Sequence, residues 1–139
     1  MILIDTNVVS ELMKPAPAAE VVAWIGAQPV QSLFTTSITQ AEILHGVLLL
    51  PAGKRRDALQ AAADAMFLEE FGDRVLAFGA DAALHYAQIA VGRRSAGAPI
   101  SQFDAQIAAI ARFSRAGLAT RNVANFEGCG IEVVNPWGG

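Results

Sequence analysis

The sequence predicts an α/β fold: a three-layer α/β/α sandwich around a central parallel sheet of four to five short strands. Short apolar segments alternate with longer segments of helical periodicity along the 139 residues. No tight-hairpin signal joins the early strands, so they are expected to pair in parallel through right-handed crossovers. In such sheets ligands bind beyond the carboxyl ends of the strands, and candidate functional residues are sought there.

The first four elements are expected in the order strand, helix, helix, strand, at residues 2–4, 8–13, 18–27 and 32–36. The opening strand is apolar and β-branched, as expected of a buried central strand. Pro15 stops the first helix. The second helix is predicted to bury one face that carries Val21, Val22 and Ile25.

The next helix, 38–50, is apolar nearly all round, which predicts burial on more than one side. Gly117 is expected to end the last long helix. The elements after residue 50 are predicted as helix 54–70, strand 74–78, helices 81–94 and 101–116, and strands 118–120 and 131–134.

Composition predicts one domain spanning residues 1–139. A chain of this length can bury roughly two thirds of its unfolded surface, so folding requires neither disulfides nor a structural metal. Cys129 is the only cysteine, which excludes an internal disulfide and fits a reducing compartment. Hydrophobic residues make up 53% of the chain even without glycine, against about 45–50% with glycine in a typical soluble domain. This excess of apolar residues suggests a surface that a partner covers.

A membrane span is not expected, although mean hydropathy is +0.38. The longest uncharged stretch, 21–41, contains Pro29 and several polar residues that a spanning helix would not tolerate. Because the N-terminus also lacks the features of a signal peptide, we expect a cytoplasmic protein with no membrane partner. The net charge of −3 argues against a general nucleic-acid coat protein and permits a nuclease that reaches phosphate through a metal.

Three acidic residues occupy related positions in the predicted fold. Asp5 directly follows the first strand, Glu42 lies early in the helix after the second strand, and Asp104 opens the helix that leads into the fourth strand. All three are expected at the same edge of the sheet. Four further polar residues can join them there: Thr6, Asn7, Thr120 and Asn122.

Helix capping is an alternative interpretation of each acid. Thr39 and Glu42 have capping-box spacing, Ser101 and Asp104 have a close variant of it, and Asp5 or Asn7 can serve as an N-cap. Capping alone explains the acids less well when their neighbours are considered, because a carboxylate beside an apolar helix face is costly without a partner.

Converging carboxylates without a nearby cation repel one another unless a metal ion binds between them. Oxygen ligands from acids and amides are those that Mg²⁺ or Mn²⁺ prefers, and no His or Cys adjoins these positions to favour zinc. The residue types and their order therefore predict a divalent-metal site at Asp5, Glu42 and Asp104.

The motifs together resemble a known family. They are Ile2-Leu3-Ile4-Asp5-Thr6-Asn7, Thr39-Gln-Ala-Glu42-Ile43, the helix from Asp104 to Ala111, Thr120-Arg121-Asn122-Val123, Asn125-Phe126-Glu127-Gly128 and Asn135-Pro136-Trp137. In this order and spacing they resemble the PIN-domain ribonucleases, and more closely the VapC/FitB-type toxins of bacterial toxin–antitoxin pairs. The resemblance covers essentially the whole chain.

This resemblance implies a metal-dependent endoribonuclease toxin of a type II toxin–antitoxin module, with acids matching Asp5, Glu42 and Asp104 as its metal ligands. It also implies single-stranded or loop RNA as substrate, a cognate VapB-like antitoxin and a homodimer, which could form a larger assembly with the antitoxin. Many relatives carry a fourth acid where Asn122 or Asn125 stands, and both are amides here. We therefore expect one metal ion and assign Asn122 as an amide member of the catalytic set.

The remaining polar residues near the site are given supporting roles. Thr6 and Thr120 are expected to hold water or phosphate, Asn7 to stabilise the turn after the strand, and Arg121 to contact phosphate. Arg93 and Arg94 are interpreted as cations at a helix C-terminus, with substrate contact as the alternative.

Two other functional interpretations remain. The acidic pocket could belong to a non-catalytic module that only receives an antitoxin side chain within a DNA-binding complex. Asp5 could also serve as a phosphoryl acceptor, but a phosphatase of that kind requires a second Asp where Asn7 stands.

Overall fold

The computed structural model describes residues 1–138, and these form five strands and six α-helices. In chain order they are β1 (Ile2–Ile4), α1 (Thr6–Leu12), α2 (Ala19–Gly26), β2 (Leu33–Thr36), α3 (Ser37–Leu48), α4 (Lys54–Asp64), β3 (Val75–Leu76), α5 (Ala80–Ser95), α6 (Gln102–Ser114), β4 (Gly117–Ala119) and β5 (Val133–Val134). The predicted α/β/α sandwich is confirmed.

The sheet has the strand order β3-β2-β1-β4-β5, and every pair is parallel. Strand β1 lies at the centre, with Ile4 opposite Ala119 of β4. The chain leaves β1 toward β2 and later returns on its other side as β4. The carboxyl ends of β1 and β4 therefore form the switch point where parallel sheets open a crevice.

Each face of the sheet covers a separate hydrophobic core. Leu3 and Leu118 pack with buried residues of α5 and α6 on one face. Ile4 and Ala119 pack with residues of α1, α2, α3 and α4 on the other. Successive residues of a strand point to opposite faces, so both cores contact the two central strands and hold their carboxyl ends in register.

Helix α3 is buried on one side only, which contradicts the prediction. Ile43 and Val47 are buried, whereas Leu48 is 58% exposed and Leu49 is 71% exposed. No element of residues 1–138 covers these two leucines. Val22 of α2 was also expected inside and is 47% exposed, because adjacent helical positions point about 100° apart and Val21 takes the core position.

Most predicted ends of helices and strands shift by one or two residues, and two differences change how an element is built or ends. The helix predicted over 54–70 is α4 followed by a wider π-helical turn, Ala65–Glu70, in which the Phe71 N–H donates to the Met66 carbonyl at 2.9 Å. Gly117 does not end α6. Arg115 caps that helix in the left-handed conformation at φ 54°, and Gly117 begins β4.

Within residues 1–138, no helix is both long and apolar enough to span a membrane.

Candidate active site

The pairing of β1 with β4 brings Asp5 beside Thr120. Each residue directly follows its strand, and the Asp5 N–H donates to the Ala119 carbonyl at 3.0 Å. The Thr120 hydroxyl donates to Asp5 Oδ2 at 2.7 Å, and both side chains are buried. Parallel pairing thus joins residues 115 positions apart in the chain at one edge of the sheet.

The turn after β1 adds further donors to the Asp5 carboxylate. Asp5 is the N-cap of α1, and its Oδ1 accepts from the Thr6 N–H at 2.8 Å. The Asn7 amide donates to Thr120 Oγ1 at 3.1 Å and lies 3.4 Å from Asp5 Oδ2, while its carbonyl oxygen accepts from the Arg121 N–H at 3.1 Å. Asn7 therefore connects the two strand ends, in keeping with its predicted role in the turn.

Glu42 joins the same network through Thr6. The Thr6 hydroxyl donates to Glu42 Oε1 at 2.9 Å and lies 3.1 Å from the hydroxyl of Thr39. The N-cap of α3 is Thr36, whose side chain accepts from the Thr39 N–H. The capping-box alternative for Thr39 and Glu42 is therefore wrong, because the helix begins three residues earlier than that spacing requires.

Asp104 lies in the first turn of α6, where the Ser101 hydroxyl caps the helix by accepting from the Asp104 N–H at 3.2 Å. The cap uses the backbone of Asp104, and the Ser101 side chain also lowers the pKa of its half-buried carboxyl. As predicted, Asp104 lies at the edge of a buried helix face that carries Ile107, Ala108 and Ala111.

Burial makes all three acids harder to ionise. Loss of solvation raises the pKa of Asp5 from 3.8 to about 6, although hydrogen bonds from Thr120 and Thr6 oppose the shift. Repulsion from Asp104 and Glu42 adds to it. Burial likewise raises the pKa of Glu42 and the pKa of Asp104, and Glu42 also experiences repulsion from Asp104. The three carboxylates therefore share one electrostatic environment.

No cation neutralises this group through an ion pair. In the part of the chain that the structure describes, the single ion pair within 4.0 Å joins Lys14 to Glu11. Arg121, the basic residue nearest in sequence to Thr120, places its guanidinium 4.8 Å from the ring centroid of Trp137. Hydroxyls and amides alone hydrogen-bond to Asp5 and Glu42, and such donors leave negative charge uncompensated.

The oxygen donors fit a hydrated divalent cation. Carboxylate, amide and hydroxyl oxygens suit Mg²⁺ and Mn²⁺, and the buried charge of Asp5 is of the kind that a cation offsets. Among residues 1–138, no three His, Cys, Asp or Glu side chains are close enough together to hold a metal ion as they stand. Mg²⁺ commonly binds through one or two carboxylates and retains several waters, so the fit does not require three direct ligands.

The two asparagines after β4 differ in their relation to the acids. The Asn122 side chain is exposed and makes no hydrogen bond to the described residues, whereas its N–H donates to Thr120 Oγ1 at 3.1 Å. Asn125 lies near Asp104, and its side chain lowers the pKa of that carboxyl. Sequence reasoning missed this proximity and the contact between the Thr39 and Thr6 hydroxyls, because both depend on how distant segments pack.

An apolar groove opens beside the acids, between α1, α3 and α4. Its volume is about 600 Å³, and Thr6 and Glu42 lie at one end. Lys14 and Arg55 add two positive charges to a lining that otherwise includes Met13, Pro15, Ile43, Val47, Ala58 and Leu59.

The sequence is similar to three curated proteins over nearly its whole length. It is 42% identical to the plasmid stability protein StbB of Pseudomonas syringae pv. tomato over 137 residues, which cover 99% of each chain. It is 40% identical to VapC ribonuclease Y4jK of Sinorhizobium fredii, covering 99% of this chain and 98% of the relative. It is 37% identical to toxin FitB of Neisseria gonorrhoeae, covering 99% of each.

The fold is shared with a solved structure of FitAB bound to an IR36 DNA fragment. The TM-score is 0.91 at 37% identity, and the alignment covers 99% of this chain and 96% of the other. The model of the PIN domain family matches residues 2–127, which include β1, β4 and all three acids. The chain therefore belongs to the PIN domain family.

Proposed function

We propose that this chain is a metal-dependent endoribonuclease and the toxin of a type II toxin–antitoxin pair, built as a single PIN domain of residues 1–139. The observation that carries the proposal is the group of three carboxylates, Asp5, Glu42 and Asp104, whose pKa values burial raises and which no ion pair neutralises. Its similarity to a VapC ribonuclease and to toxin FitB supports the same activity.

The three acids would hold Mg²⁺, for which Mn²⁺ can substitute. When bound, the ion would neutralise charge on the scissile phosphate of single-stranded or loop RNA and lower the pKa of the attacking water. Thr120 and Thr6 orient the carboxylates of Asp5 and Glu42 by donating to them. Glu42 or Asp104 accepts the proton that the water releases.

Other residues at the edge support substrate binding. The Arg121 guanidinium is exposed beside the site and contacts RNA phosphate. Asn122 and Asn125 supply amide oxygens without adding negative charge, and this favours a single metal ion. Asn7 keeps Asp5, Thr120 and the Arg121 backbone in register.

The partners follow from the surface around the site. A cognate VapB-like antitoxin places an apolar helix in the groove beside Glu42 and a basic side chain against the acids. A second copy of the chain covers the exposed apolar residues of α5 and α6, Leu84, Val91 and Phe113. The assembly functions in the cytoplasm. Sedimentation of the isolated chain as a monomer at micromolar concentration would contradict the homodimer.

Expression without antitoxin tests the activity directly. The wild type should arrest growth and the Asp5→Ala variant should not, while Glu20→Gln, an exposed acid in the first turn of α2, serves as a matched control. Purified wild type should cleave single-stranded RNA with Mg²⁺ and lose cleavage in EDTA. Equal growth arrest by wild type and Asp5→Ala, or cleavage that EDTA leaves unchanged, would contradict the proposal.

The alternative is a non-catalytic module whose acidic pocket only receives an antitoxin side chain. This candidate is favoured by the similarity to FitAB, whose structure was solved with a bound DNA fragment, because such a module would act within a DNA-binding complex. Such a module would give no metal-dependent RNA products and would bind DNA only together with its antitoxin. The EDTA comparison and a DNA-binding assay on the purified pair separate the two functions.

A further inference from the structure

Arg93, in the last turn of α5, is bound to three backbone carbonyls from two different segments. Its Nε donates to the Ala98 carbonyl at 2.7 Å. Its Nη1 donates to the carbonyls of Asn125 and Glu127 at 2.6 and 3.0 Å. A planar guanidinium can make these bonds at once because its donors lie in a rigid fork. The half-buried side chain thus joins the α5–α6 connection to the segment that follows β4.

Both segments lead to Asp104. Ala98 precedes Ser101, whose hydroxyl caps α6 and accepts from the Asp104 N–H. Asn125 lies in the segment after β4, close enough to Asp104 for its side chain to lower the pKa of that carboxyl. The two segments that flank this acid therefore meet at a single side chain. The Arg93 guanidinium makes no ion pair with Asp104, although its positive charge lowers the pKa of that carboxyl.

The other hydrogen bonds of these segments are local. Around Ala98, the backbone bonds run from Gly97 and Ala98 back to the end of α5. In the second segment the Asn125 N–H donates to the Asn122 carbonyl at 3.1 Å and the Glu127 N–H to the Ala124 carbonyl at 3.4 Å, while Phe126 is buried in the core. Loss of the Arg93 guanidinium would leave three carbonyls to water and remove the hydrogen bonds that join one segment to the other.

We propose that Arg93 is a positioning residue of the active site: it clamps the α5–α6 connection to the segment after β4 and so holds Asn125 and Asp104 in the arrangement that binds the metal ion. The expected effect of Arg93 on RNA cleavage rests on the proposed function. The expected effects on Mn²⁺ affinity and on amide exchange do not require that the protein cleaves RNA.

The adjacent residue provides a matched control. Arg94 has the same charge at the same helix end, but it is exposed and makes none of these bonds. Arg93→Lys retains the charge and most of the stem, but a single ammonium cannot reproduce the fork. Arg93→Met removes both charge and donors.

The experiment measures Mn²⁺ binding by electron paramagnetic resonance without RNA, amide hydrogen exchange, and the kinetics of RNA cleavage. We expect Arg93→Met to bind Mn²⁺ about 10-fold more weakly, the lower end of the range found when residues that orient metal ligands are replaced. Arg93→Lys should bind Mn²⁺ more weakly than the wild type and more tightly than Arg93→Met. Exchange should accelerate at 98–101 and 122–128 in both variants. The value of kcat should fall about 10-fold with KM within about 2-fold, and Arg94→Met should match the wild type.

The proposal would be overturned if Arg93→Met and Arg93→Lys bound Mn²⁺ with wild-type affinity, even if amide exchange in the two segments were faster. If Arg93→Met does not fold, wild-type affinity in Arg93→Lys alone would overturn it. A wild-type protein that binds no Mn²⁺ would overturn it as well. A wild type that binds Mn²⁺ but cleaves no RNA would contradict the proposed function, while Mn²⁺ affinity and exchange still decide the role of Arg93.

Discussion

Helix α1 carries a buried carboxylate at each end, and the two differ in what lies against them. Asp5 is 4% exposed and Glu11 is 8% exposed. Glu11 accepts from Lys14 Nζ and from the Ala18 N–H, each at 2.9 Å, and the Lys14 bond is the main cause that lowers the pKa of Glu11. Asp5 accepts only from hydroxyl, amide and backbone donors, and burial raises its pKa to about 6.

Burial alone therefore does not distinguish a structural acid from a functional one. At the C-terminal end of α1 the cation comes from the same chain, and the acid fastens the connection to α2. At the N-terminal end the fold brings more carboxylates and no ion-pairing cation, and we expect a cation from solution to bind there. The difference can be tested by removing the charge of each acid, by titrating Asp5, and by changing Arg121, which follows Thr120 in sequence.

Removing the charge should have the largest effect and should separate the two ends. Asp5→Asn should lose RNA cleavage by about 10³-fold or more, because the amide adds no charge to hold Mg²⁺. Without metal at pH 7, the free energy of unfolding of Asp5→Asn should exceed that of the wild type by about 1–2 kcal/mol. This gain is smaller than the pKa shift of Asp5 alone would give, because the NH₂ group of the new asparagine faces the Thr120 and Asn7 donors and cannot accept from them.

Glu11→Gln is the matched control, and denaturant unfolding in EDTA together with RNA cleavage provides the measurements. This variant should retain activity within about 2-fold and unfold at a lower denaturant concentration, because Lys14 loses its charged partner. Loss of activity from Glu11→Gln, or a less stable Asp5→Asn, would reverse the assignment of the two ends.

The pH dependence of stability should show the same difference. Because the pKa of Asp5 is higher in the folded state, the carboxyl holds its proton more tightly there, and its contribution is full below about pH 3.8 and lost as pH rises through about 6. In EDTA, the unfolding free energy of the wild type relative to Asp5→Asn should fall by about 2–3 kcal/mol between pH 4 and pH 7. Saturating Mg²⁺ should reduce this change at pH 7. Parallel stability curves in EDTA would contradict the raised pKa.

Changing Arg121 should have the smallest effect. Arg121 stacks on Trp137 rather than pairing with an acid, so its charge is available to RNA phosphate. Arg121→Gln should raise KM about 5-fold with little change in kcat, and should reduce the slope of log KM against log salt by about 0.7. Arg94→Met should leave both unchanged. An unaltered salt slope in Arg121→Gln would show that Arg121 does not contact phosphate.

Much of this site could be predicted from the sequence because local chemistry determines it. A buried strand followed at once by Asp5 placed that acid at the sheet edge, and the helical spacing of Asp104 to Ile107 placed its carboxylate beside the core. The exposure of Leu48 and Leu49 could not be predicted in this way, because apolar periodicity does not report which element covers a face. The bond from Arg93 to the Asn125 carbonyl spans 32 residues and depends on how α5 packs against the segment after β4.

The uncompensated charge of Asp5 also affects how the gene behaves under selection. If Asp5 is catalytic, a substitution that removes its carboxylate should abolish cleavage without destabilising the fold. Inactive copies would then escape removal as misfolded chains, and a host harmed by the active protein would enrich them. Codon 5 is therefore a position to resequence in expression clones.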